Sequence, residues 1–217
     1  MRLAADNSAS SKVRSATIVI AALTVLVSLF LTLSGLESQA AGAMGFIPAR
    51  LSGLIDLPGS VPVLLTPFTA TLVHGGFLHL FFNMLMLLLC GVAVERVLGV
   101  PGLISLYLIS AVVAALAQWI VDPAGMTPVI GASGAISGVI GAYALSFGRP
   151  KRVSADPRIN RFVHILWLAA AWTVLQVAVG WSAGAQGMLL ATPAHVGGFL
   201  AGLALQRPLL LWRYRKA

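Results

Sequence analysis

Long apolar stretches alternate with short polar segments along this chain, and the pattern predicts helices that cross a membrane. Several stretches approach or exceed about 18 residues, the length that indicates a transmembrane helix. We place six spans, at about residues 16–34, 77–96, 101–121, 131–147, 162–180 and 194–212. The first run is long enough to span and has no A-x-A-like cleavage site directly after it, so we interpret it as a helix and not as a signal peptide. The expected fold class is an all-α polytopic membrane protein, a bundle of six transmembrane helices.

The segment before the second span, residues 35–76, is apolar but contains many prolines and glycines. Both residue types interrupt helices, so we expect no spanning helix here. Such a segment is expected to lie in the outer interface or dip into it, packed against protein. We therefore expect residues 1–217 to form a single membrane domain, with a cytoplasmic N-terminal segment at 1–15 and a membrane-associated outer loop at 35–76.

Composition supports a membrane protein, and the charges predict its orientation. Of 217 residues, 59% are hydrophobic and only 9% are charged, and the mean hydropathy is +0.94. A soluble domain carries far more charge. With both termini inside, 13 of the 14 Lys and Arg residues fall in cytoplasmic segments, and only Arg50 falls outside. This bias predicts an N-in, C-in topology in a lipid bilayer, and it accounts for the net charge of +8 without a nucleic-acid partner.

The sequence does not predict a metal site. Its single cysteine, Cys90, lies in the middle of the second span and can form neither an internal disulfide nor a zinc site, so we interpret it as a small core residue. No cluster of residues has convincing metal-ligand spacing, so we predict that no metal is bound.

Polar side chains in three of the spans fall at one depth. Counted from the arginine that marks the inner end of each span, His79, Asn83, Ser133 and His195 lie 13 to 18 residues towards the outer side. At ~1.5 Å of rise per residue, that distance is roughly 20–27 Å. In a hydrocarbon core of ~30 Å, all four fall in the outer half, somewhat below the surface. Because polar groups inside a membrane are costly, their shared depth predicts a functional site.

Glycine spacing predicts which spans meet. The fourth span carries glycines at 131, 134, 138 and 141, which form a stripe beside Ser133. In the sixth span, His195, Gly198 and Gly202 share one helix face. Glycine stripes let helix backbones approach closely in a bilayer. If the two stripes meet, Ser133 and His195 come together at the outer end of that contact.

These residue types suit acyl transfer. A serine hydroxyl becomes an effective nucleophile when a histidine at hydrogen-bond distance takes its proton. Ser133, at the start of a helix, has free backbone N–H groups close by that can hold a developing oxyanion. His79 and Asn83 add side-chain donors at the same depth. The set therefore predicts a nucleophile, a base and oxyanion donors, whereas His74 is expected to brace the outer loop.

Three motifs, taken together and in order, resemble those of the rhomboid family of intramembrane serine proteases. They are H-x-x-x-x-H-x-x-x-N at the second span, G-x-S-G at the fourth and A-H-x-x-G-x-x-x-G at the sixth, formed by His74, His79, Asn83, Gly131, Ser133, Gly134, His195, Gly198 and Gly202. Any one motif is weak, but three in this order are highly specific. Their placement fits a bacterial-type six-helix core that covers nearly the whole chain.

The resemblance implies a catalytic dyad of Ser133 and His195. It implies that His79, Asn83 and the Ser133 N–H bind the oxyanion, and that Gly131 shapes the loop before the nucleophile. The expected reaction is cleavage of single-pass membrane proteins near the extracytoplasmic end of their transmembrane segment, with small residues at the cut and no cofactor. The expected location is the bacterial inner membrane. The residues implied to be structural near the site are His74, Gly131, Gly134, Gly198 and Gly202.

The sequence departs from the family pattern at two places. Many members carry a Trp-Arg pair in the first outer loop, where this chain has Pro62 and Val63. Many members also have a tyrosine four residues after the serine, which stacks on the catalytic histidine. Here that position is Ser137, so we expect His195 to be oriented in some other way.

Two other functions are compatible with a polytopic helical protein. A rhomboid-like pseudoenzyme would bind membrane proteins without cutting them, although such proteins typically lack the serine or the histidine that this chain has. A small transporter would also use glycine-broken helices and polar residues inside the membrane. The chain shows no evident internal repeat and almost no acidic residues within its spans, which disfavours transport.

Overall fold

Eight α-helices form the part of the chain that the structure, a computed structural model, describes: residues 15–185 and 190–215. The predicted N-terminal segment at 1–15 lies, except for Ser15, outside the described residues. The helices are α1 Ala16–Leu33, α2 Glu37–Met44, α3 Pro48–Leu51, α4 Thr66–Thr69, α5 Phe77–Val121, α6 Ser133–Phe147, α7 Pro157–Ala185 and α8 Thr192–Arg213. Short 3-10 turns at Val63–Leu65 and Ala70–Leu72 flank α4.

The long helices coincide with the apolar runs, because a helix satisfies every backbone polar group inside lipid. Among the described residues, three helices are long and apolar enough to cross a membrane: α1, α5 and residues 157–182 of α7. The all-helical, apolar character that we predicted is confirmed. The count of six spans and the N-in, C-in orientation stay predictions.

Helix α5 covers the second and third predicted spans and bends sharply between them. Gly99 has a φ of 75°, which a residue with a side chain rarely adopts, and Pro101 follows it. At this bend the Arg213 guanidinium, from the end of α8, donates a hydrogen bond to the Arg96 carbonyl. A cation therefore caps the carbonyl end of the first half of α5, and the two halves act as separate helices.

Helices α5, α6 and α8 form the centre of the bundle. A Cβ added at Gly198 would overlap the Gly134 carbonyl oxygen, and one added at Gly202 would overlap the Gly138 carbonyl oxygen. One added at Gly141 would sit 2.5 Å from the Phe199 carbonyl oxygen. The glycine stripes of the fourth and sixth predicted spans therefore meet backbone to backbone.

Residues 35–76 form short helices and turns that fold over the end of this bundle where α6 begins. Phe46 and Val129 exchange two backbone hydrogen bonds of 3.0 and 2.8 Å. The Gly131 N–H donates to the Ala70 carbonyl at 2.9 Å. Where the expected Trp-Arg pair is missing, Arg50 ties the loop together, because its Nη2 donates to the Val61 carbonyl at 2.9 Å. The loop is thus fastened directly to the segment that precedes Ser133.

Helix α7 is attached differently from the central three. Most of its described side chains are exposed, and they include the large apolar residues Trp167, Val174 and Trp181. Its inward face meets the first turns of α8. A Cβ added at Gly180 would overlap Thr192 Oγ1, so this glycine allows the close approach at the outer end of the contact. In a membrane the exposed side chains would face lipid.

Candidate active site

Ser133 is the first residue of α6, and the turn before it requires a glycine. Gly131 has a φ of 102°, which disfavours any residue with a Cβ. A Cβ at this position would also lie 2.7 Å from His79 Nε2. Because Ser133 begins the helix, its N–H and the next ones have no partner within the helix. The turn therefore presents the serine hydroxyl beside free backbone donors.

Ser133 and His195 are in direct contact. Ser133 Oγ lies 2.8 Å from His195 Nε2, although 62 positions separate them along the chain. His195 lies in the first turn of α8 and is 9% exposed. The close contact between α6 and α8 begins at Gly198, one turn after His195, so it fixes the distance between the two helices next to His195. The distance is the one that proton transfer from a hydroxyl to an imidazole requires.

The second ring nitrogen of His195 contacts a residue that the sequence analysis missed. His195 Nδ1 lies 2.9 Å from Oε1 of Gln176, a buried residue of α7. An amide oxygen only accepts, so this contact fits a ring proton on Nδ1, which leaves a lone pair on Nε2 for the serine hydroxyl. The available signal was a single glutamine inside an apolar run, V-L-Q-V-A-V, at a depth where polar groups are costly.

Ser137, which occupies the position of the expected tyrosine, does not contact the histidine ring in the hydrogen bonds of the described residues. Its Oγ donates to the Ser133 carbonyl at 2.8 Å, one helical turn back. Another aromatic side chain lies near His195 instead. Trp172 Nε1 donates to the His195 carbonyl at 3.2 Å, and the Trp172 ring stacks on Phe199 with centroids 4.7 Å apart. The position that a tyrosine of α6 would take against the histidine is therefore not used, and α7 supplies the other contacts of His195.

His74 connects α1 to the segment before the nucleophile. Its Nε2 accepts the Ala132 N–H at 3.3 Å, and its Nδ1 lies 2.9 Å from Ser28 Oγ, which donates to the Leu72 carbonyl at 2.8 Å. Burial, and to a smaller extent repulsion from His79, lowers the pKa of His74 to about 3, so its imidazole stays neutral. A neutral ring protonated at Nδ1 satisfies every partner in this chain of hydrogen bonds.

His79 and Asn83 lie one turn apart near the start of α5. The Gly75 N–H donates to His79 Nδ1 at 3.2 Å, so the ring proton of His79 belongs to Nε2. A Cβ built on Gly131 would lie 2.7 Å from that Nε2 and 3.8 Å from Ser133 Oγ. Asn83 Nδ2 donates to the His79 carbonyl at 2.9 Å and keeps a second hydrogen. His79 Nε2 and Ser133 Oγ therefore both lie close to the space beside the Gly131 Cα, and Asn83 is bonded to the His79 backbone one turn along α5. The oxyanion-binding role of both side chains stays a prediction.

A narrow cavity of about 30 Å³ opens beside the serine. Small side chains dominate its walls, among them Ala111, Ala114, Ala115 and Ala194. Gly134 contributes to the same wall, and a Cβ there would lie 2.7 Å from the Ala114 Cβ. The space admits about one water molecule or a small side chain.

Comparison with known proteins places these motifs in a family. The model of the family described as Rhomboid domain matches residues 63–212 of this chain. RHOMBOID-like protein 5 of Arabidopsis thaliana is 33% identical over 139 residues, 64% of this chain and 42% of that protein. Rhomboid protease GlpG of Pectobacterium atrosepticum is 31% identical over 140 residues, again 64% of this chain and 46% of that protein.

A shorter match is to the putative rhomboid protease YdcA of Bacillus subtilis, which is 38% identical over 75 residues, 35% of this chain and 37% of that protein. This chain therefore covers less than half the length of each of these relatives. The family match includes the segments that hold His74, Ser133 and His195.

Proposed function

The chain belongs to the rhomboid family, and from this premise we propose that it is an intramembrane serine endopeptidase with a Ser133–His195 dyad. Its substrates are transmembrane segments of single-pass membrane proteins, cut near the extracytoplasmic face, and its location is a bacterial inner membrane. The observation that supports this function most strongly is the 2.8 Å contact between Ser133 Oγ and His195 Nε2.

The reaction proceeds in two steps. Ser133 Oγ attacks the carbonyl carbon of the scissile peptide while His195 Nε2 takes the hydroxyl proton. The resulting imidazolium gives that proton to the leaving amine, the C–N bond breaks, and an acyl ester remains on Ser133. Water admitted from the outer face then attacks the ester, with His195 again acting as base, and the hydroxyl of Ser133 is restored.

Hydrogen-bond donors close to Ser133 stabilise the charge that develops on the carbonyl oxygen of the scissile peptide. These donors are the Ser133 N–H, His79 Nε2–H and the free hydrogen of Asn83 Nδ2. In a site from which protein excludes most water, such fixed donors would stabilise an oxyanion more than they would in bulk water. The Gly131 turn supports this arrangement because it removes the side chain that would otherwise fill the space.

Two features support a membrane-embedded peptide as the substrate. The alanine-lined cavity beside Ser133 accommodates a small side chain at the cut and excludes a large one. A substrate helix enters laterally between the first half of α5 and α7 and unwinds at its outer end. The exposed apolar side chains of α7 support this route, because a lipid-facing surface can be exchanged for another apolar helix at little cost.

Cleavage in a reconstituted system tests the proposal. The full chain is placed in liposomes with a single-pass substrate that carries small residues near its outer end, and products are read by mass spectrometry. Wild type is expected to cleave, and Ser133→Ala is expected to lose activity by roughly 10³-fold or more. A fluorophosphonate probe should label wild type and leave Ser133→Ala unlabelled.

Ser137→Ala is the matched control, since it removes a serine hydroxyl one turn away that bonds to the backbone. It should keep both cleavage and labelling. A folded wild type that binds the substrate without cleaving it or reacting with the probe would overturn the protease assignment in favour of a pseudoenzyme. Solute uptake by the same liposomes would favour a transporter.

A further inference from the structure

We propose that Gln176 is a positioning residue that holds His195 in the tautomer and orientation needed for its role as base, and that it makes catalysis depend on the position of α7. The inference rests on the proposed protease function and adds a third side chain to the dyad. It accounts for how the histidine is oriented in a chain that has Ser137 where other family members have a stacking tyrosine.

The hydrogen-bond geometry supports this role. Neutral imidazole carries one proton, and a base that accepts from Ser133 through Nε2 must carry it on Nδ1. Gln176 Oε1, 2.9 Å from Nδ1, accepts that proton and so favours the required tautomer. When His195 becomes an imidazolium during catalysis, Nδ1–H is still a donor and the amide oxygen still accepts. The same contact is therefore useful before and after proton transfer.

Burial shows that Gln176 is not a chance polar residue facing lipid. Of the α7 side chains that the structure describes, it alone is buried, at 9% exposure, and its neighbours Leu175 and Val177 are both more than half exposed. A polar amide buried at membrane depth is costly unless it is hydrogen-bonded. The helix therefore turns Gln176 towards His195 and the neighbouring apolar side chains of Leu175 and Val177 outwards.

The attachment of α7 couples this contact to helix position. Trp172, Gln176 and Gly180 are spaced by four residues and form a stripe that meets the first turns of α8. Nearer the start of α7, Arg161 Nη2 also donates to Gln206 Oε1 of α8, at 3.4 Å. Trp172 holds the backbone of His195, and Gln176 holds its ring. If α7 moves outwards to admit a substrate, the ring loses its acceptor. His195 then becomes an effective base only when α7 has closed again.

Three variants in full-length protein test the role. Gln176→Met keeps the length and shape of the side chain but removes the acceptor, and Gln176→Glu keeps an acceptor at the same place. Gln118→Met serves as the control, because it makes the same Gln-to-Met substitution at a half-buried residue of α5. Among the described residues, Gln118 has no hydrogen bond to Ser133 or His195. For each variant, kcat and KM for the liposome substrate are measured together with the thermal unfolding midpoint.

We expect Gln176→Met to lower kcat by roughly 10- to 100-fold with KM nearly unchanged, because substrate binding does not use this residue. Gln176→Glu should recover kcat to within roughly tenfold of wild type, and Gln118→Met should match wild type. A Gln176→Met protein with wild-type kcat would overturn the proposal. So would a folded Gln176→Glu protein as impaired as Gln176→Met, which would indicate packing instead of hydrogen bonding, or an effect confined to KM.

A second readout does not depend on proteolysis. With ¹⁵N-labelled histidine, nitrogen NMR reports which ring nitrogen of His195 carries the proton, and His195→Ala assigns the signal among the four histidines. Wild type and Gln176→Glu should keep a proton on Nδ1, and Gln176→Met should show a mixture of tautomers. An unchanged tautomer in Gln176→Met would refute the positioning role even in active protein. An inactive wild type with the expected tautomer shift would instead refute only the proposed protease function.

Discussion

The two sides of the Ser133–His195 contact are held in different ways. On the serine side, α6 is fixed by backbone contacts with α8 at Gly198 and Gly202, and the turn before Ser133 is fixed by His74. On the histidine side, α7 contacts α8 through the amide of Gln176, the stacked ring of Trp172 and Gly180. Most of the α7 surface is exposed. Helices α6 and α8 thus form part of the packed interior, whereas α7 packs against the surface of that interior.

This difference indicates which part of the molecule can move. Backbone contacts through glycines cannot shift by an ångström without overlap or loss of many contacts at once, so the nucleophile stays in place. Helix α7 has few buried apolar contacts to lose, which is the property of segments that open at low cost. The proposed function, which requires admission of a substrate helix from the bilayer, needs both properties, and they lie on opposite sides of the Ser133–His195 hydrogen bond.

The largest expected effect comes from breaking the packed side. Gly198→Ala would force a Cβ into the Gly134 carbonyl, and because backbone atoms cannot rotate away, we expect a loss of about 3 kcal/mol of stability. The measurement is equilibrium unfolding in mixed micelles. Gly184→Ala on α7 is the control, since nothing lies within 4 Å of its added Cβ, and it should gain up to ~1 kcal/mol from helix propensity. Equal effects of the two substitutions would contradict the comparison.

An intermediate effect is expected where α7 is attached. Trp172→Ala removes both the stacking on Phe199 and the hydrogen bond to the His195 carbonyl, and should cost about 2 kcal/mol; Trp172→Phe should cost about half of that. Hydrogen exchange, followed by mass spectrometry, should show faster exchange in α7 and unchanged exchange in α6. Trp181→Ala changes a tryptophan of the same helix that is 82% exposed and should leave exchange unaltered. Faster exchange in α6 would show that α7 is part of the packed interior.

The smallest effect tests the hydrogen bonds behind the nucleophile. Ser28→Ala removes the link between His74 Nδ1 and the Leu72 carbonyl, and we expect it to cost about 1 kcal/mol. Thr24→Val, one turn earlier on α1, removes a buried hydroxyl that has no partner among the described residues, so stability should change by about 0 or rise. Unfolding in micelles measures both. A larger cost for Thr24→Val than for Ser28→Ala would show that the His74 network does not stabilise the turn.

The family and the general position of the site followed from local features of the sequence. Hydropathy located the helices, because lipid imposes a length and a composition on any helix that crosses it. Helical rise and periodicity predicted one depth for Ser133, His79 and His195, which stays a prediction, and the family match confirms the resemblance drawn from their motifs. The kink at Gly99 also lies where two predicted spans adjoin.

Gln176 could not have been assigned in the same way. Its role depends on the rotation of α7 about its own axis and on the distance of α7 from α8, and neither quantity is encoded by a motif. The loop at residues 35–76 gives a second example. The sequence shows that the Trp-Arg pair is missing, but it does not show that Arg50 donates a hydrogen bond to the Val61 carbonyl within this loop. In both contacts, the residues next to each partner in the sequence give no sign that the two partners meet.

By itself, the sequence determined which segments are helical and which family the chain belongs to, and it predicted which residues carry chemistry and at what depth, because each of these depends on neighbours within a few turns. Tertiary structure alone decided that the glycine stripes meet, that Ser133 Oγ comes within 2.8 Å of His195 Nε2 and that an amide from α7 holds the far side of the ring. Hydrogen bonds act over about 3 Å, and only the packing of whole helices against one another fixes side chains to that precision.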